Sequence, residues 1–150
     1  IGFAGLAEPA PRLVWNASAS APLGLYWISR TAPGRGDLVL AGLPPDARRL
    51  AAERGYLPDG VLLVKRVAAL GGDSVCTIED AVLVNGRLVA GRRAHDSLGR
   101  ALPRWTGCRR LGADEFFLLM EGVPGSFDGR YFGPVRRAAV IGRLVPLWTG

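Results

Sequence analysis

Apolar residues in this chain come in short runs broken by Gly, Pro and Asp, the pattern of a protein built from short strands. Arg12 to Trp15 and Leu25 to Arg30 read as strands flanking a loop that carries Ser18 and Ser20, with Pro22 and Gly24 fixing a bend after it. Asp37 to Ala41 is a further strand. After Pro44 and Pro45, Asp46 to Arg54 is the one convincing helix, with Asp46 as its cap and Gly55 just past its end. Val61 to Val67 is apolar on both faces except at Lys65 and Arg66, which must point opposite ways because strand periodicity is two. Leu70 to Asp73 turns the chain into a strand over Ser74 to Ile78. Ala81 to Ala90, centred on Asn85-Gly86, is the clearest hairpin. The stretch from Gly91 to Gly107 is polar and irregular, so about 76–108 reads as an insertion on the core. Glu115 to Glu121 returns as a buried strand, a loop covers Gly122 to Pro134, and Ala138 to Trp148 closes as a final strand.

The predicted class is mostly β: short antiparallel strands, one short helix and a small β-hairpin insertion. The 150 residues bound this to a single domain large enough to bury a real core. Hydrophobic residues make up 49% and charged residues 21%, which excludes a disordered chain. A net charge of +6 raises the question of nucleic acid, but the arginines are scattered with no aromatic ladder between them. A solvated surface or attraction to anionic lipid headgroups fits as well, and no nucleic-acid partner is expected. Cys76 and Cys108, with one histidine in the chain, have the wrong spacing for a metal site. A single disulfide in an oxidising compartment such as a periplasm is the preferred reading, with two free core thiols the alternative. No apolar stretch is long enough to cross a membrane as a helix. Ile1 to Ala7 lacks an initiator Met, so a removed signal peptide or an anchor before Ile1 is one expectation and a trimmed first strand another.

Among 19 Lys and Arg residues, Lys65 is the single lysine, and it lies inside a predicted core strand. Arginine supplies charge everywhere else and cannot give up its proton; lysine can. Burial disfavours the ammonium form and pulls the pKa down towards neutrality, making Lys65 a candidate general base. Its natural partner is a serine, which points to a serine protease of the Ser-Lys kind.

Three segments then resemble, in order and spacing, the type I signal peptidases, and more closely their conjugal-transfer branch known as TraF. They are Ser18-x-Ser20-x-Pro22-x-Gly24-x-Tyr26; Val64-Lys65-Arg66-Val67 with Leu70-x-Gly72-Asp73; and Ser126-Phe127-Asp128-Gly129-Arg130-Tyr131-Phe132-Gly133-Pro134-Val135. Two departures from the broader family favour that branch. Met120 to Gly125 replaces the Gly-Asp-Asn-Arg-Asp lead-in, and Pro22 sits one residue nearer to Ser20.

The resemblance implies Ser20 as nucleophile and Lys65 as general base, with the Ser18 hydroxyl and the Ser20 backbone N–H forming the oxyanion hole. It implies that Ser126 orients the lysine amine and that Asp128 and Arg130 form a structural ion pair supporting the site. The substrate would be a precursor protein with small residues before the cleavage site, in this branch a pilin, which some members cyclise. The place of action would be the periplasmic face of the bacterial inner membrane, against the membrane surface. No cofactor and no metal are expected.

Other features compete with this reading. Asn16-Ala17-Ser18 spells a glycosylation acceptor, discounted for a residue lining a cleft. His95-Asp96-Ser97 contains the residue types of a triad, but contiguous residues cannot converge, and His95 is expected in solvent. Arg48, Arg49 and Arg54 read as a solvated helix face. Self-cleaving repressor-type Ser-Lys proteases share the core by resemblance but carry a DNA-binding module and a cleavage-site loop not seen here. A non-catalytic basic β module binding anionic lipid or nucleic acid is the alternative from another class.

Overall fold

The short runs resolve into two antiparallel sheets in a computed structural model, which describes residues 13–16 and 21–149. In chain order the elements are β1 (Leu13–Asn16), β2 (Gly24–Ser29), β3 (Leu38–Ala41), α1 (Pro45–Glu53), β4 (Leu63–Leu70), β5 (Ser74–Ile78), β6 (Ala81–Val84) and β7 (Arg87–Gly91). Then follow β8 (Gly107–Arg110), β9 (Glu115–Leu119), the single turn α2 (Gly129–Phe132), β10 (Val135–Arg136) and β11 (Val140–Thr149). The larger sheet runs β1-β2-β11-β3-β4-β9-β10 and the smaller β7-β6-β5-β8. The fold is therefore mostly β, as the pattern predicts.

Periodicity accounts for the centre of the larger sheet. β4 lies between β3 and β9, so both its edges are paired and nearly all of its side chains are covered. Val64 packs with Tyr26, Ile28, Leu40, Met120 and Leu144 in one core cluster. Val67 joins Val39, Phe116, Leu118 and Val135 in another. A third, containing Ala69, Val75, Val82, Phe117 and Leu119, spans the junction of the two sheets. Asp73 secures that junction: it accepts Arg35 Nη2 at 2.6 and 2.7 Å, Asn85 Nδ2 at 3.0 Å and the Leu70 backbone N–H at 3.0 Å. The hydrogen bond from Arg35 is the largest cause holding its carboxyl down at about 2.

The predicted hairpin turns at Asn85 and Gly86, both with positive φ (49° and 81°), as a tight two-residue turn requires. Its strands β6 and β7 form one side of the smaller sheet, and at the other edge β8 pairs with β5 in the register Cys76↔Cys108. Those cysteines are joined in a disulfide.

Three local expectations change. Asp46 does not cap α1: the cap position is Pro44, without a side-chain hydrogen bond, because Pro45 at the first helical position already removes one of the N–H groups a cap would satisfy. Asp46 instead sits in the first turn, 3.7 Å from Arg49. Arg54 is no part of a solvated face, since its Nη1 donates to the Tyr56 hydroxyl at 3.1 Å and to the Ala101 carbonyl at 2.8 Å. The segment expected as a loop over 122–134 contains the helical turn α2, with Asp128 as its cap.

Candidate active site

Lys65 is 5% exposed, while its neighbour Arg66 is exposed, as strand alternation demands. The amine Nζ donates to Ser126 Oγ at 2.5 Å, across 61 residues of sequence. Burial lowers its pKa below the ordinary value of 10.5; the nearby Asp128 charge works against this and the Arg130 charge with it. Burial is the largest of these effects, so the amine holds its proton less tightly than an ordinary lysine.

Two successive turns after β9 bring Ser126 to the lysine. Val123 N–H donates to the Met120 carbonyl at 3.2 Å, and Ser126 N–H to the Val123 carbonyl at 3.1 Å. The buried pair Asp128 and Arg130 locks that excursion. Asp128 accepts Arg130 Nε at 2.8 Å and the Met120 N–H at 3.0 Å, while Arg130 Nη2 donates to the Met120 carbonyl at 3.0 Å. The pair thus satisfies both backbone groups of Met120, much as a neighbouring strand would. Arg130 Nη1 also reaches the Gly91 carbonyl at 3.0 Å, tying the site to the end of β7. Gly129 is required here: a β carbon would lie 2.8 Å from the Leu118 carbonyl oxygen and from the Phe117 ring. Next to Ser126, the Phe127 ring is held between Tyr56, Tyr131 and Phe132, with centroids 5.4 to 5.9 Å away.

Ser18 and Ser20 lie outside the described residues. The residues on either side of them are described and tied together. Asn16 is 4% exposed, and its Nδ2 donates to the carbonyls of Ala21 at 3.3 Å and Pro22 at 3.1 Å. The Tyr26 hydroxyl donates to the Pro22 carbonyl at 2.6 Å. A buried amide engaged in this way presents no glycan acceptor. Gly24 begins β2 with φ 153°, and a β carbon there would collide with the Trp148 carbonyl oxygen in β11.

Asn16, Lys65 and Ser126 open on one cleft of about 560 Å³. One wall is apolar, from Leu57 and Val61 to Val64; the other carries Arg93, His95, Asp96, Ser97 and Leu102. Tyr56 and Tyr131, with no catalytic signature in sequence, complete the lining. His95 is exposed, as expected, but sits on the cleft wall rather than away from it. Asp96 holds that wall in place. It accepts the Tyr56 hydroxyl at 2.7 Å, Arg100 Nε at 2.7 Å and the backbone N–H groups of Leu98 and Arg100 at 2.9 Å. Its burial pushes the carboxyl pKa up, but these hydrogen bonds outweigh burial and hold it well below the usual carboxylate range. Among the described residues no cluster of His, Cys, Asp and Glu could hold a metal ion, and no helix is long and apolar enough to cross a membrane.

The chain is similar to several known proteins. Residues 1–148 match the family described as signal peptidase, peptidase S26. The plasmid transfer protein TraF of Escherichia coli is 37% identical over 145 residues, covering 89% of this chain and 81% of that protein. The conjugal transfer protein TraF of Agrobacterium fabrum (strain C58 / ATCC 33970) is 34% identical over 145 residues, with the same coverage of 89% and 81%. A crystal structure of a signal peptidase I from Enterococcus faecalis V583 aligns with TM-score 0.46 and 23% identity, covering 78% of this chain and 100% of that chain. Matched along nearly its full length and sharing more than a third of its residues with a relative it largely covers, the chain belongs to the peptidase S26 family of signal peptidases.

Proposed function

We propose that this chain is a serine endopeptidase that processes a conjugative pilin precursor after small residues, with Ser20 as nucleophile and Lys65 as general base. The observation that carries the reading is the buried Lys65 amine, held by Ser126 at the floor of a peptide-sized cleft, its pKa lowered by burial. The relatives named for plasmid and conjugal transfer support a role in conjugation. In this reading residues 1–150 are one catalytic domain, with the block at about 76–108 an inserted subdomain. The chain works at the periplasmic face of the inner membrane, where the exposed side chains of Leu13, Trp15, Trp27, Leu147 and Trp148 suit contact with a lipid surface.

The precursor lies extended in the cleft, with shallow pockets selecting small side chains on alternate positions. Lys65 Nζ takes the Ser20 hydroxyl proton as Oγ adds to the scissile carbonyl carbon. The negative oxygen is held by the Ser18 hydroxyl and the Ser20 backbone N–H. As the C–N bond breaks, the lysine ammonium returns a proton to the leaving amine, leaving an ester on Ser20. The ester then passes to water, or to the substrate's own amino terminus, as in relatives of this branch that make cyclic products.

The test is incubation with a precursor pilin whose leader ends in Ala-x-Ala, followed by mass measurement: free acid and cyclic product differ by one water. Lys65→Arg keeps the charge but removes the base, and is expected to lower turnover by ~10⁴-fold with the fold intact. An active Lys65→Arg protein would overturn the assignment.

A further inference from the structure

The doublet Arg92 and Arg93 separates in space. Arg92 is 4% exposed and commits its guanidinium to backbone, Nε donating to the Glu79 carbonyl at 3.1 Å and Nη1 to the Trp105 carbonyl at 2.6 Å. Arg93 is exposed and lines the cleft. A β carbon on Gly125 would lie 3.9 Å from Arg93 Nη1, so the guanidinium sits over the residue that precedes Ser126.

Its backbone is fixed while its head is free. The Arg93 N–H donates to the Tyr131 hydroxyl at 3.0 Å, and Asp96 clamps the chain three residues on. Among the described residues, no carboxylate lies within ion-pair distance of Arg93. The one carboxylate on the cleft wall, Asp96, is already engaged by Tyr56 and Arg100. An arginine presented on a rigid base, beside a site where an extended chain would lie, without a counterion, is a ready donor to a planar anion.

We propose that Arg93 forms a carboxylate-binding subsite of the cleft, taking an Asp or Glu side chain, or a free carboxyl terminus, of the peptide that occupies it. The identity of the ligand as a peptide rests on the peptidase reading above. The subsite selects among substrates by charge, on top of the selection for small residues at the scissile bond.

The experiment uses labelled peptides spanning a cleavage site, with Glu, Gln or Lys walked through successive positions and each made with a free or an amidated carboxyl terminus. Binding is read by fluorescence anisotropy on Ser20→Ala protein, and kcat/KM on the protein with Ser20 in place. At one position Glu is expected to beat Gln about fivefold, less at high salt. Arg93→Lys keeps part of that ratio, Arg93→Ala erases it, and Arg93→Glu inverts it in favour of Lys, an inversion no folding defect can produce. A ratio that follows amidation instead identifies the chain terminus as the ligand. A ratio near one at every position, with no effect of amidation, overturns the subsite, as does a Glu preference that survives Arg93→Glu. An Arg93-dependent preference in binding without cleavage would sink the peptidase reading and leave the subsite standing. Cleavage with no charge preference would do the reverse.

Discussion

A lysine in an interior strand of a sheet is costly, and this chain places its single lysine there while using arginine for every other fixed positive charge. The cost lies in the charged form, so it varies with pH. The folded amine holds its proton less tightly than an unfolded lysine at 10.5, so between the depressed value and 10.5 the unfolded chain binds more protons. Stability therefore rises with pH through that window, and Lys65→Met should remove this component of the slope in urea melts. Activity should move the same way, since only the neutral amine accepts a proton. The acidic limb of kcat/KM is expected at a pH below that of an ordinary lysine and to be absent from any residual rate of Lys65→Arg. A limb centred near 10.5 would show that the amine is not the desolvated base.

At the scale of elements, the corner between β9 and α2 depends on one ion pair. Asp128 is fully buried and Arg130 is 2% exposed, so neither charge has water to fall back on. Asp128→Asn leaves a buried guanidinium without its counterion and should destabilise the fold by about 3 to 5 kcal/mol in urea denaturation. A loss below 1 kcal/mol would mean that the corner does not rely on the pair. Much of this level was legible in advance. Strand periodicity separated Lys65 from Arg66, and Asn85-Gly86 announced its turn. What escaped reading has two causes, partners far away in sequence and side chains without a pattern. β8 is exposed at all four residues and so shows no alternation; pairing with β5 and the disulfide define it. Asp96 looked like part of a polar loop because its partner Tyr56 lies 40 residues away. Arg93 gave no signal beyond its doublet. Ser18 and Ser20 were singled out from sequence but lie outside the described residues.

For the molecule as a whole, the disulfide closes a 32-residue separation around the smaller sheet, whose β8 is an edge strand with little burial of its own. Replacing both cysteines by serine should lower stability by ~3 to 4 kcal/mol through the loop-closure entropy of the unfolded chain. An unchanged urea midpoint would show that the sheet needs no covalent brace. The larger sheet has a different dependency. In the larger sheet β1 and β2 are linked by hydrogen bonding to β3 and to β4, the strand of Lys65, only by way of β11, which is inserted between β2 and β3 and formed by residues 140–149. During synthesis, β2 and β3 cannot be bridged into one sheet until residues 140–149 have cleared the ribosome. On the reading proposed above, a nascent chain that has not yet presented residues 140–149 would have no peptidase activity.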